Sequence, residues 1–312
     1  MISHKLLGLA DDPQFLNAAV ALSVPQSQAP QATPSYSRIY AFGDSLSDAG
    51  NDYTVSGGLL PTPLIYSDGR FTNGPVWVQD LATGLHASPV TPSLTGGTDY
   101  AYGGAEAGNE PLHAVSPIDL PSQLAQFLVN VGHAPSNALY TLSIGGNDVI
   151  GAISAAPNVA LNDINVAVAD EVRFIKALIA DGARNFLVMN VPDLGRTPEE
   201  SAHATLATKL SLFYDNKLSA GLNALAAADH VSIDILNAFG LIDHAVRDPS
   251  LFGLKNSTTP VWTGNFENPL SGTLNAHGAA QNGYLFFDHL HPTAHGHQIV
   301  ATAALQALQH TL

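Results

Sequence analysis

Short apolar runs recur along this chain, and four of them have the length of buried β-strands. They cover residues 39–42, 139–144, 185–190 and 231–236. Their apolar residues are nearly continuous instead of alternating with polar ones, which is typical of strands covered on both faces of a sheet. The first run stops at Gly43 and the second at the pair Gly145-Gly146, as strands do before a turn.

Longer segments with apolar residues at spacings of three and four separate these runs, and this periodicity predicts helices. The predicted helices cover residues 122–131, 164–180, 202–228 and 294–308. Buried strands that alternate with helices predict an α/β fold of three layers, in which helices cover both faces of a parallel sheet. Functional groups in such sheets gather at the carboxyl ends of the strands, so the residues that directly follow each strand are the candidates for chemistry.

The N-terminal segment differs from the rest of the chain. We predict an arm with a Pro- and Gln-rich linker over residues 1–35, including a short helix over 14–22, followed by one domain over 36–312. The apolar run 15–24 is too short to cross a bilayer, which needs about 20 apolar residues. Residues 5–10 resemble the opening of a secretory signal, but the acidic residues and proline at 11–13 interrupt it. No convincing signal peptide is predicted, and a secreted or periplasmic location is left open.

Composition narrows the classes of protein. The 312 residues are 46% hydrophobic, and 26 acidic against 11 basic residues give a net charge of −15. The apolar content predicts a folded protein rather than a disordered one. The shortage of Lys and Arg argues against nucleic acid as a partner, because binding to its phosphate backbone rests on clustered basic residues. The lack of cysteine excludes disulfides, thiolate metal ligands and a cysteine nucleophile.

Ser45 follows the first predicted strand, one residue beyond Asp44 and two beyond Gly43. A serine at a strand-to-helix turn can project its hydroxyl from the sheet edge, where the next helix supplies N–H groups and a positive dipole. That environment suits a nucleophile attacking a carbonyl. The alternative is that Ser45 is an ordinary helix N-cap.

Two glycine-rich turns offer hydrogen-bond donors. Asn147 follows Gly145-Gly146 after the second strand, and its amide is a neutral donor suited to an oxyanion hole. A plain Asn/Asp turn is the alternative for this segment. Near Ala101, the pair Gly103-Gly104 can turn a backbone N–H inward, or it can form a bulge or a tight connection.

Asp288 and His291 lie three residues apart near the end of the chain. A carboxylate at this spacing can orient the imidazole and stabilise the imidazolium formed when it accepts a proton from serine. Pro292 is a good first helical residue and predicts a constrained backbone at His291. Two alternatives to this catalytic interpretation remain open. In the first, the histidines are surface residues near a helix start, and in the second they form a metal site. The histidines concerned are His289, His291, His295 and His297.

Other catalytic patterns do not fit. No Gly-Lys pair of a phosphate-binding loop occurs, and the glycines lack the dinucleotide-binding spacing. The Gly-x-Ser-x-Gly elbow of α/β-hydrolases is also missing, since Ser47 stands at the position of its second glycine.

Several blocks in order resemble the GDSL, or SGNH, hydrolase family, in its lipase-like branch. The first block is similar at residues 42–51, the third at 145–148 and the last at 288–292. Residues 68–77 and 191–198 are also similar to this branch, and the resemblance covers roughly residues 36–312. It implies a three-layer α/β/α fold with a central parallel, flavodoxin-like sheet. In the second block, the family commonly has Asn where this chain has Asp99.

The resemblance implies a catalytic role for three residues and an oxyanion hole from three donors. Ser45 corresponds to the nucleophile, His291 to the general base and Asp288 to its orienting carboxylate. The Ser45 N–H, the Gly104 N–H and the Asn147 side chain correspond to the oxyanion donors.

These observations together predict a serine ester hydrolase of the carboxylesterase or lipase type. It would cleave acyl or acetyl esters of a small molecule, a lipid or an acetylated carbohydrate through an acyl-enzyme, with no cofactor and no metal. An acyltransferase or a carbohydrate deacetylase with the same residues is the first alternative. A non-catalytic metal- or sugar-binding module is the second, based on the histidine cluster and on exposed aromatic rings at Trp77, Trp262 and Tyr284.

Overall fold

The computed structural model describes residues 35–108, 116–265 and 268–309. The predicted arm, linker and short helix before residue 35 lie outside the described residues, and the domain division stays a prediction. Four strands form one sheet: β1 (Ile39–Gly43), β2 (Leu139–Ser143), β3 (Asn185–Met189) and β4 (Ser232–Leu236). All neighbouring strands run parallel, in the order β1-β2-β3-β4. The four predicted strands are confirmed.

Within the described ranges, the chain forms eight α-helices: α1 (Asn51–Val55), α2 (Trp77–Gly84), α3 (Leu120–Val131), α4 (Gly146–Ile153), α5 (Pro157–Asp181), α6 (Ala204–Asp229), α7 (Ala238–Arg247) and α8 (Ala294–Gln309). Short 3₁₀ turns occur at Ser93–Thr95, Leu194–Arg196, Glu199–His203, Pro249–Phe252 and Gly278–Gly283. The four predicted helices correspond to α3, α5, α6 and α8. The other four have 5 to 10 residues, too few to establish a helical period in the sequence.

Alternation along the strands sends side chains to two separate cores. On β1, Tyr40 and Phe42 pack in the cluster that also contains apolar residues of α3, α5 and α6. Ile39 and Ala41 pack on the opposite face with residues of α2 and α8. Because both faces of the strands are buried under helices, the molecule has the three layers predicted from the continuous apolar runs.

A short segment extends the sheet beyond β1. The Ala41 N–H donates to the Thr98 carbonyl at 3.0 Å, the Tyr100 N–H donates to the Ala41 carbonyl at 2.7 Å, and Ala41 and Asp99 form a parallel bridge. With this segment counted second in the chain, the spatial order becomes 2-1-3-4-5, the flavodoxin-like order. In the part of the chain that the structure describes, no helix is both long and apolar enough to cross a membrane.

Candidate active site

Gly43 ends β1 in a conformation that only glycine adopts readily. Its φ is +132°, and a Cβ at this position would lie 1.9 Å from the Ser143 carbonyl oxygen of β2. The close approach lets the Asp44 N–H donate to the same carbonyl at 3.0 Å. The chain therefore leaves the sheet sharply and places Ser45 just beyond the carboxyl ends of β1 and β2.

Gln123 of α3 clamps this exit from the opposite side. Its amide accepts from the Gly43 N–H at 2.9 Å and donates to the Gly43 carbonyl at 2.7 Å, and its side chain is fully buried. Both backbone groups of the residue before the turn are thus satisfied by one side chain. Sequence reasoning missed Gln123, because nothing in the local pattern links it to a turn 80 residues earlier.

The helix that was expected to supply N–H groups and a dipole to Ser45 does not begin beside it. Ser45 lies instead in a hydrogen-bonded turn over residues 45–47, in which the Asp44 carbonyl accepts from the N–H groups of Ser47 and Asp48. The Asp48 carboxylate then accepts from the backbone N–H groups at the start of α1, at 2.6 to 3.2 Å. Because Asp48 caps α1, the helix begins six residues after Ser45, and its dipole acts at Asp48 instead.

Asp288, His291 and Ser45 form a continuous hydrogen-bonded line. His291 Nε2 lies 2.8 Å from Ser45 Oγ, and His291 Nδ1 lies 2.8 Å from Asp288 Oδ2. The serine is 246 residues away from the histidine in sequence, and all three residues are at least nine-tenths buried. With Nδ1–H donating to the carboxylate, Nε2 is left as the acceptor for the serine hydroxyl.

The Asp288 carboxylate has donors on both oxygens. Oδ1 accepts from the backbone N–H groups of Leu290 and His291 at 2.8 and 2.6 Å. Oδ2 accepts from His291 and also from the Tyr66 hydroxyl at 2.7 Å. Sequence reasoning missed Tyr66, although it lies two residues before the family-like segment 68–77, because a contact across 222 residues leaves no local signal.

The segment around Phe71 supports the histidine from the side. The ring centroid of Phe71 lies 5.3 Å from that of His291, and Thr72 Oγ1 donates to the Pro292 carbonyl at 2.8 Å. The Asn73 side chain accepts from the Ala294 N–H at 2.7 Å, at the start of α8. The helix begins two residues after Pro292, and the loop before it is held by these side chains.

The carboxylate and the imidazole shift each other's pKa. Burial raises the pKa of Asp288, but the charge of His291 and the hydrogen bonds from His291 and Tyr66 outweigh it and hold the pKa below its usual range. Burial lowers the pKa of His291, but the charge and hydrogen bond of Asp288, with the charges of Asp44 and Glu199, outweigh it and raise the pKa. The site therefore favours an ionised carboxylate beside an imidazole that is more basic than usual.

Asn147 reaches the same place from the first turn of α4. Its Nδ2 donates to the Ala105 carbonyl at 2.8 Å, which uses one of the two N–H groups of the amide. This bond brings the turn that contains Gly104 beside Asn147. Gly104 has a φ of +77° and is exposed, and it forms part of neither of the two cavities described below. Its donor role therefore stays a prediction.

A buried acid supports the turn before Asn147. Gly145 has a φ of +95°, and a Cβ there would lie 2.5 Å from the ring of Tyr214. The Tyr214 hydroxyl donates to the Glu171 carboxyl at 2.7 Å. Burial raises the pKa of Glu171 to about 8, so its neutral form is favoured beneath the site.

Asp99 stands where the resembling family commonly has Asn. It is fully buried, and its side chain accepts from the N–H groups of Ala49 and Ala101 at 2.6 and 3.0 Å. Burial and the nearby charge of Asp48 raise the pKa of Asp99 well above its usual range. Through these two bonds, the Asp99 side chain ties the serine turn to the second block.

The clustered histidines turn to separate partners. His291 faces Ser45, His295 Nε2 lies 2.8 Å from the Phe252 carbonyl, and buried His297 accepts from the Trp77 N–H at 3.3 Å. Burial, with the charges of His291 and Arg70, lowers the pKa of His297 to about 3. Among residues 35–108, 116–265 and 268–309, no three His, Asp or Glu side chains are grouped to hold a metal ion.

The aromatic rings suspected of being exposed are mostly buried. Trp77 and Trp262 are 0% and 1% exposed, and Tyr284 is partly buried against the cluster that contains Trp262. The expectation of exposed rings for sugar binding was wrong for both tryptophans, because each fills a hydrophobic core.

Two cavities meet beside His291. A cavity of ≈ 60 Å³ has a mainly apolar wall that includes Ser45, and a more open cleft of ≈ 470 Å³ has a more polar wall that includes Asp288. Four residues line both spaces: Asn147, Ile150, Leu290 and His291. A reacting group at this junction would touch both catalytic candidates.

Comparison with known proteins gives a family match over most of the chain. The model described as GDSL-like Lipase/Acylhydrolase matches residues 39–304. A phosphatidylcholine-sterol acyltransferase of Aeromonas hydrophila is 29% identical, over 79% of this chain and 71% of that protein. Esterase EstA of Pseudomonas aeruginosa is 30% identical, over 91% of this chain and 48% of that protein. The chain thus spans between about half and seven tenths of the length of these two relatives.

Among solved structures, an extracellular lipase from Streptomyces rimosus is similar with a TM-score of 0.45 and 16% identity. The similarity covers 87% of this chain and 99% of the lipase.

Proposed function

Since the chain belongs to the GDSL-like lipase/acylhydrolase family, we propose that it is an ester-bond hydrolase and that it cleaves carboxylic esters through an acyl-enzyme formed on Ser45. In this reaction, His291 acts as general base and Asp288 orients and stabilises it. The observation that carries the proposal is the pair of 2.8 Å contacts, from Ser45 Oγ to His291 Nε2 and from His291 Nδ1 to Asp288 Oδ2.

Each step uses atoms in this line. His291 Nε2 takes the hydroxyl proton as Ser45 Oγ attacks the ester carbonyl carbon. The Ser45 N–H, the Gly104 N–H and the Asn147 amide hold the oxyanion of the tetrahedral intermediate. His291 then gives its proton to the leaving alcohol oxygen as the ester C–O bond breaks. His291 then takes a proton from water as the water oxygen attacks the acyl carbon. As the bond from that carbon to Ser45 Oγ breaks, His291 returns the proton to Ser45 Oγ, which releases the acid and free Ser45.

Covalent labelling tests the nucleophile directly. A fluorophosphonate probe reacts with an activated serine, so we expect one adduct per chain on the peptide that contains Ser45, read by mass spectrometry. Labelling should slow below the pKa of His291, since the probe needs the same base. An adduct confined to another serine would contradict the assignment.

Replacing Asn147 by alanine should reduce kcat by about 10²- to 10³-fold, because one oxyanion donor is lost. The measurement is hydrolysis of p-nitrophenyl butyrate under saturation. Asn165→Ala is the matched control, since the exposed Asn165 side chain donates only to the Leu161 carbonyl of its own helix. Equal rates for the two variants would exclude Asn147 from the oxyanion hole.

Activity should fall on acidification with a midpoint above about 6.5, the ordinary pKa of histidine. Only neutral His291 can accept the serine proton. The charges of Asp288, Asp44 and Glu199 raise its pKa, so protonation begins at a higher pH. The pH profile of kcat/KM for an uncharged ester measures this midpoint in the free enzyme. A profile that stays flat from pH 8 to pH 5 would rule out His291 as the base.

Acyl transfer is a second candidate that uses the same residues. The cleft of ≈ 470 Å³ beside His291 has room for an alcohol acceptor in place of water. Measuring free acid and new ester together, in the presence of an added alcohol, separates the two reactions. Transfer is excluded as a main reaction if free acid accounts for all the released acyl group.

A further inference from the structure

The two cavities differ in chemistry and lie on different sides of the proposed catalytic pair. The ≈ 60 Å³ cavity includes Ser45 but not Asp288, and most of its wall is aliphatic or aromatic. The apolar residues in this wall include Leu46, Ile144, Ile150, Leu194, Ala238 and Ile242. The ≈ 470 Å³ cleft includes Asp288 but not Ser45.

Side chains with hydroxyl, amide or carboxylate groups line the larger cleft. They include Tyr66, Glu199, Thr263, Asn265 and Ser271, and the buried Trp262 also lines the cleft. Of these, Glu199, Thr263, Asn265 and Ser271 are exposed. Such groups pair well with the hydroxyls of a ligand, whereas Glu199 and the net charge of −15 disfavour an anionic one.

The chemistry of the proposed reaction decides which part of an ester enters which space. After the first step, the acyl group stays bonded to Ser45 Oγ, so it must lie on the serine side. The leaving alcohol takes its proton from His291 Nε2, so it must lie on the histidine side. The apolar cavity is therefore on the acyl side, and the polar cleft is on the alcohol side.

We propose, as an extension that rests on the proposed function, that the preferred substrate is a short-chain ester of a neutral polyhydroxy alcohol. Its acyl chain occupies the apolar cavity closed by Ala238 and Ile242, and its alcohol occupies the cleft lined by Glu199, Asn265 and Ser271. The residues that line the apolar cavity set the preferred acyl length, and the residues that line the cleft set the preferred alcohol.

The cavity volume limits the acyl chain. An apolar cavity of about 150 Å³ takes up benzene, which has six carbons. By that comparison, the ≈ 60 Å³ behind Ser45 holds about two or three carbons beyond the carbonyl. Butyryl esters should therefore be preferred. Each methylene from acetyl to butyryl should raise kcat/KM about fourfold, and longer chains should lose this gain.

A series of p-nitrophenyl esters from acetyl to dodecanoyl tests the acyl side. Ile242→Ala should move the optimum to a chain two or three carbons longer, and Ala238→Val should move it towards acetyl. Ile299→Ala is the matched control, because Ile299 packs against the same hydrophobic cluster as Ile242 but does not line the cavity. Its optimum should stay at butyryl. An octanoyl or longer optimum in the unaltered protein would overturn the proposal.

Glycerol monobutyrate and its phosphorylated counterpart, butyryl glycerol phosphate, test the alcohol side with one acyl group. The neutral ester should be preferred by at least about fivefold, and Glu199→Gln should narrow that ratio. Asn265→Ala should lower kcat/KM for the neutral ester and leave the p-nitrophenyl chain-length optimum unchanged. If cleft variants changed the chain-length optimum while Ile242→Ala changed only alcohol preference, the two assignments would be reversed and the proposal wrong.

These outcomes are distinct from a failure of the proposed function. Loss of the Ser45 adduct would remove the acyl-enzyme, whatever the chain-length profile. A normal adduct with a long-chain or anionic preference would leave the acyl-enzyme in place and overturn only the substrate class.

Discussion

Replacement of Ser45 by alanine should lower kcat for p-nitrophenyl butyrate by about 10⁶-fold, to a residual rate supplied by binding and the oxyanion donors alone. This large loss is expected because Ser45 Oγ, which lies 2.8 Å from His291 Nε2, is the proposed nucleophile. His291→Ala should cost about as much. The double variant should be no slower than either single one, because the two residues act as a unit. Steady-state and burst kinetics on the three purified variants measure this.

Ser47→Ala is the matched control for the loss of a hydroxyl in the same turn. Ser47 Oγ is fully buried and accepts from the Trp77 indole N–H at 3.1 Å. Its removal leaves that donor unpaired and should lower the free energy of unfolding by about 1–3 kcal/mol, while kcat stays near that of the parent. A Ser45→Ala variant that folds normally and retains more than a hundredth of the activity would contradict the acyl-enzyme mechanism.

Replacement of Asp288 by asparagine should lower kcat by about 10⁴-fold with little change in the fold. An amide nitrogen facing His291 Nδ1 donates instead of accepting, which favours the tautomer that carries its proton on Nε2 and cannot take one from Ser45. The lost charge also removes a cause of the raised pKa of His291. The midpoint of the acid limb of kcat/KM should therefore fall relative to the parent. Both effects are read from one pH–rate series.

The Tyr66→Phe variant tests whether the Asp288 carboxylate itself orients His291 or whether any hydrogen bond that supports the loop around Asp288 has the same effect. It removes one donor to Asp288 Oδ2 and leaves the two backbone donors and His291 in place. Its effect on kcat should be far smaller than that of Asp288→Asn, and it leaves the negative charge in place. If Asp288→Asn kept the parental acid midpoint and lost no more activity than Tyr66→Phe, Asp288 would not be the partner of the base.

Local signals predicted much of the fold and several site residues. The four apolar runs became β1 to β4, because a strand buried on both faces needs nearly continuous apolar residues. Gly43 and Asn147 were conspicuous because they lie at or shortly after the carboxyl ends of strands. Helices α1, α2, α4 and α7 were not predicted, since a helix of 5 to 10 residues takes its stability from packing rather than from its own periodicity.

Short-range spacing and the family resemblance indicated which side chains could react. They did not indicate the side chains from distant parts of the chain that hold these groups in position. The pair Asp288 and His291 could be read from a spacing of three residues. Tyr66 and Gln123 could not, because each meets its partner across 80 residues or more. The helix N-terminus expected beside Ser45 lies further along the chain, at Asn51, where the Asp48 side chain accepts from the Asn51 N–H.

The sequence by itself determined the layer architecture, the strands and the identity of the candidate nucleophile, base and carboxylate. These depend on periodicity and on motifs within about ten residues of each other, which a chain carries in any conformation. Only the tertiary structure decided that Ser45 lies 2.8 Å from His291, that Tyr66 also holds Asp288, and that an apolar cavity and a polar cleft meet there. Those features depend on packing between distant segments, and burial at that junction also sets the pKa values of the groups.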